Sequence, residues 1–62
     1  MMIVVTLEDG DPAAINTEKI LWVKGAWRRR RWEGTIFCEG CNPLEVQESP
    51  EKIAEMCNQN QY

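Results

Sequence analysis

Residues 2–16, MIVVTLEDGDPAAIN, are the stretch that decides the fold, because they predict a β-hairpin at the start of the chain. Residues 2–7 are apolar and largely β-branched, which favours an extended strand. Asp9-Gly10 follows, and Asp-Gly between two strand-like runs is a strong hairpin signal. The period of two along a strand places three residues on one face, which we expect to point inward. These residues are Ile3, Val5 and Leu7.

The rest of the chain continues the same pattern of short strands separated by turns. Pro12 suits the start of a strand or a sheet edge, so the return strand is short. Leu44, Val46 and their polar neighbours alternate as in a half-buried strand. The predicted strands are residues 2–7, 13–15, 20–24, 32–38 and 44–47, with a turn or single helical turn at 17–19, a loop opening at Gly25-Ala26 and a turn at 39–43.

A helix is predicted from Ser49 onward. Ser49 is a good N-cap, Pro50 is pre-organised for the first helical position, and the acidic Glu51 suits the helix start. One apolar stripe recurs at helical spacing, and it can lie on the sheet. The stripe consists of Ile53, Met56 and Cys57, and residues 58–62 form a polar tail.

These elements predict one α+β, mainly β domain over residues 1–62: a small antiparallel five-stranded meander, as an open barrel or curled sheet, with one C-terminal helix. A chain of this length buries only roughly 60% of the surface it exposes when unfolded, so its core is marginal. Five short strands also leave sheet edges that invite another chain. We therefore expect a homo-oligomer.

Composition excludes several classes of protein. The chain is 44% hydrophobic and 27% charged, which is typical of a globular domain and not of a disordered one. No apolar run approaches the ~18 residues of a membrane span. The first residues lack the basic front and cleavage site of a signal peptide, and the three cysteines are an odd number, so we expect a cytoplasmic protein.

Residues 27–32, WRRRRW, form a basic–aromatic segment in a chain of net charge −3. One interpretation is a solvated hairpin tip, with Trp22 and Trp32 packing across the strand pair. The other is a recognition hairpin, because arginine pairs with phosphate or carboxylate and tryptophan offers a stacking surface. In an extended strand, Trp27 would share a face with Arg29 and Arg31, and Trp32 would lie on the other face. The candidate binding residues are Trp22, Lys24, Trp27, Arg28, Arg29, Arg30, Arg31 and Trp32.

The leading hypothesis for function is a non-enzymatic protein–protein interaction module, a small accessory, regulatory or inhibitory protein whose partner has an acidic surface. The acidic body of the chain favours a protein partner over a nucleic acid. Binding of a nucleic acid or nucleotide by the same arginine–tryptophan cluster is the alternative.

Neither a catalytic site nor a cofactor is predicted. The chain has no histidine, which excludes a histidine general base, and its four glycines are scattered, which excludes a phosphate loop. Cys38-Glu39-Gly40-Cys41 has the C-x-x-C spacing of a pair of zinc ligands. One chain cannot complete that site, so a zinc-stabilised dimer through Cys38 and Cys41 is a third hypothesis; the more ordinary interpretation is three thiols.

The frame from Ile3 to Met56 resembles the FlbD-like family of small flagellar and swarming-motility proteins. The resemblance covers nearly the whole chain and implies the meander fold and a non-enzymatic accessory role. The matching positions are residues 3–7, Asp9-Gly10, Ile15-Asn16, Ile20, Val23, Thr35-Ile36, residues 44–49 and Ile53. The tryptophans, the arginine run and the C-x-x-C pair depart from the family pattern, and in style the chain is also similar to accessory proteins of phages and prophages.

Overall fold

Backbone pairing divides the strands of this computed structural model, which describes residues 1–58, into two antiparallel sheets. One sheet is β1–β2, and the other has the order β3–β4–β5. The elements are β1 (Met2–Thr6), β2 (Pro12–Asn16), a 3-10 turn (Thr17–Lys19), β3 (Ile20–Arg28), β4 (Arg31–Cys38), β5 (Leu44–Val46) and α1 (Pro50–Asn58). The predicted fold class, mainly β with one C-terminal helix, is confirmed, and the sheets do not close into a barrel.

The β1–β2 hairpin forms where the Asp-Gly signal predicts it. Ile3 pairs with Ile15 and Val5 with Ala13. Gly10 takes a φ of +94°, a left-handed conformation that glycine adopts without steric cost. The Gly10 amide donates to the Leu7 carbonyl at 2.9 Å, which closes the turn. The hairpin therefore follows from local chemistry alone.

A short contact joins the two sheets where β1 ends. Leu7, predicted as the last residue of the first strand, lies beyond β1 in an isolated bridge to Val46. The Gln47 amide donates to the Thr6 carbonyl at 2.8 Å, and the Thr6 amide donates to the Glu48 carboxylate at 2.9 and 3.0 Å. These bonds orient β1 so that Ile3 and Val5 enter the core.

The β3–β4 hairpin is longer than the sequence predicts. The predicted loop at Gly25-Ala26 is wrong, because β3 continues to Arg28 and Gly25 pairs with Gly34 inside the ladder. The chain turns instead at Arg29 and Arg30, whose φ values are +49° and +61°. This left-handed backbone is typical of two-residue hairpin turns, and for a non-glycine residue it costs on the order of 1 kcal/mol each.

The core lies between β1, the β4–β5 pair and α1. Its buried apolar residues are Ile3, Val5, Ile36, Val46 and Ile53. Met56 and Cys57 pack against this cluster, which confirms the predicted stripe on α1. The Ser49 hydroxyl accepts a hydrogen bond from the Lys52 amide at 3.1 Å, so the predicted N-cap is also present. Asn58 is the last residue of α1, and the rest of the predicted tail, 59–62, lies outside the described residues.

Within residues 1–58, no helix is long and apolar enough to cross a membrane.

Two paired glycines differ in the space around them. A Cβ on Gly34 would lie 2.8 Å from Ile53 Cδ1 and 2.9 Å from the Glu48 carbonyl oxygen, so α1 and the β5–α1 connection approach this strand too closely for any side chain. A Cβ on Gly25 would meet Pro50 Cγ at 3.4 Å and Trp32 Cε3 at 3.5 Å, which are ordinary van der Waals distances. Packing therefore requires glycine at position 34 and not at position 25.

We expect Gly34→Ala to lower the free energy of unfolding by about 1–3 kcal/mol, because the added methyl overpacks the core. Gly25→Ala should change it by less than about 1 kcal/mol, since a strand glycine is itself unfavourable. Urea denaturation of both variants measures the difference. Equal losses at the two positions would contradict the close packing of α1 on β4.

Candidate functional site

The turn at Arg29 and Arg30 sorts the side chains of the basic–aromatic hairpin, residues 27–32, onto two faces. Trp27 pairs with Trp32 across the ladder, and Arg28 pairs with Arg31. Since directly paired residues share a face, both tryptophans lie on one face and these two arginines lie on the other. The predicted sorting, with Trp27 and Trp32 on opposite faces, is wrong because the segment is a reversal and not an extended strand.

The two tryptophans contact each other and remain exposed. Their ring centroids are 5.6 Å apart and the rings make an angle of 69°, a T-shaped contact. Trp27 is 62% exposed and Trp32 is 57% exposed. Edge-to-face pairs of this kind are favourable, so each ring limits the motion of the other. The result is a fixed aromatic surface at the end of the hairpin.

Trp22 and Lys24 do not belong to this surface. Trp22 stacks on Phe37 with centroids 4.3 Å apart and rings 4° from parallel. The expected packing of Trp22 against Trp32 is therefore wrong: the register of the β3–β4 ladder sets Trp22 opposite Phe37 and Trp32 opposite Trp27. Lys24 is exposed and pairs with Thr35 in the ladder, on the face opposite the Trp27–Trp32 pair.

A buried carboxylate organises the arginine run. Glu33 is 0% exposed, and its two oxygens receive three arginine side chains. Arg28 Nε lies 3.0 Å from Oε1, Arg29 Nη2 lies 2.8 Å from Oε2, and Arg31 Nε lies 3.0 Å from Oε2. A buried charge is costly unless it is paired and hydrogen-bonded, and here both conditions are met. We call these four residues, with Glu8, the Glu33 cluster.

Glu8, which follows β1, ties the first hairpin to this cluster. Its carboxylate lies 3.0 Å from Arg28 Nε and also pairs with Arg29. Arg29 donates to the Glu8 carbonyl at 3.3 Å, and Arg31 donates to the Gln47 side chain at 3.0 Å. Two carboxylates thus neutralise half of the positive charge of the run.

Arg30 differs from its neighbours. It occupies the second position of the turn and is exposed, and it makes no hydrogen bond or ion pair with any other residue in the described part of the chain. Arg31 is 52% exposed at its side chain despite its contacts with Glu33 and Gln47. The four predicted arginines therefore differ in role. Arg28 and Arg29 are structural, whereas Arg30 and part of the Arg31 side chain are exposed at the turn.

Ionisation follows from this geometry. Burial alone would raise the pKa of Glu33, but hydrogen bonds donated by Arg29, Arg28 and Arg31, together with the charge of Arg29, lower it from 4.5 to about 2. The hydrogen bond to Glu33 raises the pKa of Arg29 in turn. Glu33 is therefore ionised at neutral pH although it is buried.

A groove lies beside Trp32, on the tryptophan side of the hairpin. It has a volume of about 470 Å³ and is lined by Gly25, Trp32, Pro50 and Glu51. Gly25 forms part of β3, and Pro50 and Glu51 belong to the first turn of α1. We call this space the Trp32 groove. Neither this groove nor the burial of Glu33 is visible in the sequence, because each depends on contacts between elements distant in the chain.

The cysteines are free thiols in the structure. Cys38 ends β4 and is half-buried, Cys41 is exposed, and Cys57 is half-buried on α1. Burial, and then the neighbouring Cys41, raise the pKa of Cys38. Among residues 1–58, no group of three or more histidine, cysteine, aspartate or glutamate side chains could hold a metal ion. The zinc hypothesis thus depends on a second chain and stays a prediction.

The chain matches no protein-family model, no curated protein and no solved structure.

Glu33→Gln should destabilise the fold more than Glu45→Gln, an exposed carboxylate on β5, because glutamine leaves three guanidinium groups around a neutral side chain. The folded pKa of Glu33 lies below its ordinary value, so its ionised form favours the folded state above pH 4.5, and this contribution is lost as the pH falls toward about 2. Urea denaturation at several pH values should show the gap between wild type and Glu33→Gln narrowing below pH 4.5. A gap that stays constant down to pH 2 would contradict the ion pairing.

Elemental analysis of the purified protein tests the zinc hypothesis. A site built from Cys38 and Cys41 of two chains would bind about half a zinc ion per chain, since four thiolates complete a tetrahedral site. Cys41→Ser should then lose the metal, whereas Cys57→Ser should retain it. If the protein is produced in zinc-supplemented medium and contains no zinc after purification, the hypothesis is refuted.

Proposed function

We propose that this protein is a non-enzymatic protein–protein interaction module that docks through its basic–aromatic hairpin. The observation that carries the proposal is the pair of exposed tryptophans, Trp27 and Trp32, fixed against each other at the end of the hairpin. Tryptophan and arginine are the residues most enriched at the energetic centres of protein interfaces. Large rings exposed side by side in water are unfavourable in a free protein, and a partner surface would bury them.

The Glu33 cluster supports this role by holding the hairpin rigid. Arg28 and Arg29 bind Glu33 and Glu8, so the turn that carries the tryptophans is attached to both sheets. A surface that is already ordered loses little conformational entropy when it binds. In this proposal Arg28 and Arg29 are positioning residues, and Trp27 and Trp32 make the contact.

The free charge at the tip indicates the character of the partner. Arg30 and the exposed part of Arg31 can pair with carboxylates, so the proposed partner has an acidic surface next to an apolar one. The internal pairing of the other two arginines leaves fewer charges for a phosphate backbone, which favours a protein over a nucleic acid.

The proposed protein acts in the cytoplasm as an accessory or regulatory protein. Three free thiols suit a reducing compartment, and the resemblance to small flagellar and swarming-motility proteins suits an accessory role. Self-association through a sheet edge is part of the proposal, and β3, which pairs with β4 alone among the described strands, offers such an edge.

Capture from an extract of the source cell, followed by identification of the retained protein, tests the docking surface. We expect Trp27→Ser/Trp32→Ser to reduce capture at least about tenfold, the loss of a typical hot spot. Leu21→Ser is the matched control, because Leu21 is 65% exposed on the same strand but away from the tip. Circular dichroism verifies that each variant is folded.

Equal capture by the tryptophan variant and the control would contradict the proposal. So would saturable, salt-sensitive quenching of tryptophan fluorescence by a short single-stranded oligonucleotide, which would support the nucleic-acid alternative. Replacing all of Arg28 to Arg31 is a poor test, because it removes the partners of the buried Glu33 and unfolding would obscure the result.

A further inference from the structure

The Trp32 groove has the walls of a side-chain pocket. Residues of three elements line it: Gly25 of β3, Trp32 of β4, and Pro50 and Glu51 of the first turn of α1. Trp32 lines the groove and also contacts Trp27, so a partner seated on the two tryptophans would reach the groove as well.

Glycine at position 25 keeps this groove open. Neither packing nor backbone conformation requires it there, since a Cβ would meet Pro50 and Trp32 at 3.4 and 3.5 Å and the φ is not left-handed. A strand glycine that the fold does not need is a sign that something else approaches the backbone closely. Core packing explains why its paired position, 34, requires glycine, but it gives no reason for glycine at position 25.

The chemistry of the groove selects a cation. Glu51 is exposed and makes no ion pair or hydrogen bond with any other residue among 1–58. A carboxylate and an indole ring that line the same groove can offer a cation both charge pairing and cation–π attraction. Guanidinium suits the two together better than ammonium does, because it is planar, stacks on aromatic rings and pairs with a carboxylate through two hydrogen bonds.

We propose that the Trp32 groove binds an arginine side chain of the partner protein, stacked on Trp32 and paired with Glu51. This inference rests on the proposed docking function and names the chemistry of the partner at one point of that surface. The docking surface is then bipolar, with Arg30 facing a partner carboxylate and Glu51 facing a partner arginine. Such a pattern rejects partners that carry either charge at the wrong end.

The first test is an NMR titration of the ¹⁵N-labelled protein with N-acetyl-arginine amide at constant ionic strength. The Trp32 indole N–H and the Gly25 amide should shift in a saturable way. N-acetyl-lysine amide should bind more weakly, by about threefold or more, and N-acetyl-norleucine amide, which has no charge, should not saturate.

Two variants locate the binding. Glu51→Gln should weaken binding of the arginine amide by about fivefold or more, whereas Glu45→Gln, the exposed control, should leave it unchanged. Gly25→Ala places a methyl between Pro50 and Trp32 and should abolish the shifts in a protein that remains folded.

Several outcomes would overturn the inference: no saturable shift with the arginine amide, equal binding of the norleucine amide, or equal binding by Glu51→Gln. If Gly25→Ala instead abolishes a concentration-dependent self-association seen by sedimentation, the occupant is a second copy and not a separate partner. If the arginine amide does not bind but partner capture still depends on the tryptophans, only the arginine pocket is refuted and the docking function stands. If the arginine amide binds but capture does not depend on the tryptophans, only the docking function is refuted.

Discussion

The ion pairing of Glu33 is the constraint on which the hairpin depends. A carboxylate with no exposed surface requires compensation, and three arginines from one short stretch supply it. To reach it they must fold back from the turn, which leaves the tryptophans on the opposite face. The segment that carries most of the positive charge of the chain is therefore mainly a structural element, and its aromatic rings are left exposed.

Glu8 extends this constraint to the whole molecule. The first hairpin contributes Ile3 and Val5 to the core, and its turn contributes Glu8 to the arginines. A 62-residue chain has a small core, so polar contacts at its periphery account for a larger part of its cooperativity than in a large domain. Here the ion pairs of Glu8 with Arg28 and Arg29 connect the two sheets.

Local chemistry made part of this structure predictable and tertiary contacts decided the rest. Asp9-Gly10 predicts a hairpin turn and Ser49-Pro50 predicts a helix start, each through its own backbone preferences. Both form as expected. Gly25 is typical of a break in a strand, but it pairs with Gly34, a residue nine positions further along the chain. The run of arginines predicts exposed charge. The burial of Glu33 beneath these arginines follows only from the position of the turn at Arg29 and Arg30. The groove likewise exists only after α1 docks beside Trp32.

The left-handed turn at Arg29 and Arg30 shows where this chain forgoes stability. Asparagine and glycine occupy such turns with far less strain, so a sequence optimised for folding alone would not place arginine at both positions. Arg29 is accounted for by Glu33 and Glu8. The Arg30 side chain has no such partner among the described residues, so nothing offsets the strain of its left-handed backbone. Glycine or asparagine at position 30 would relieve that strain, so the turn is a place where this chain can gain stability without a change in its core.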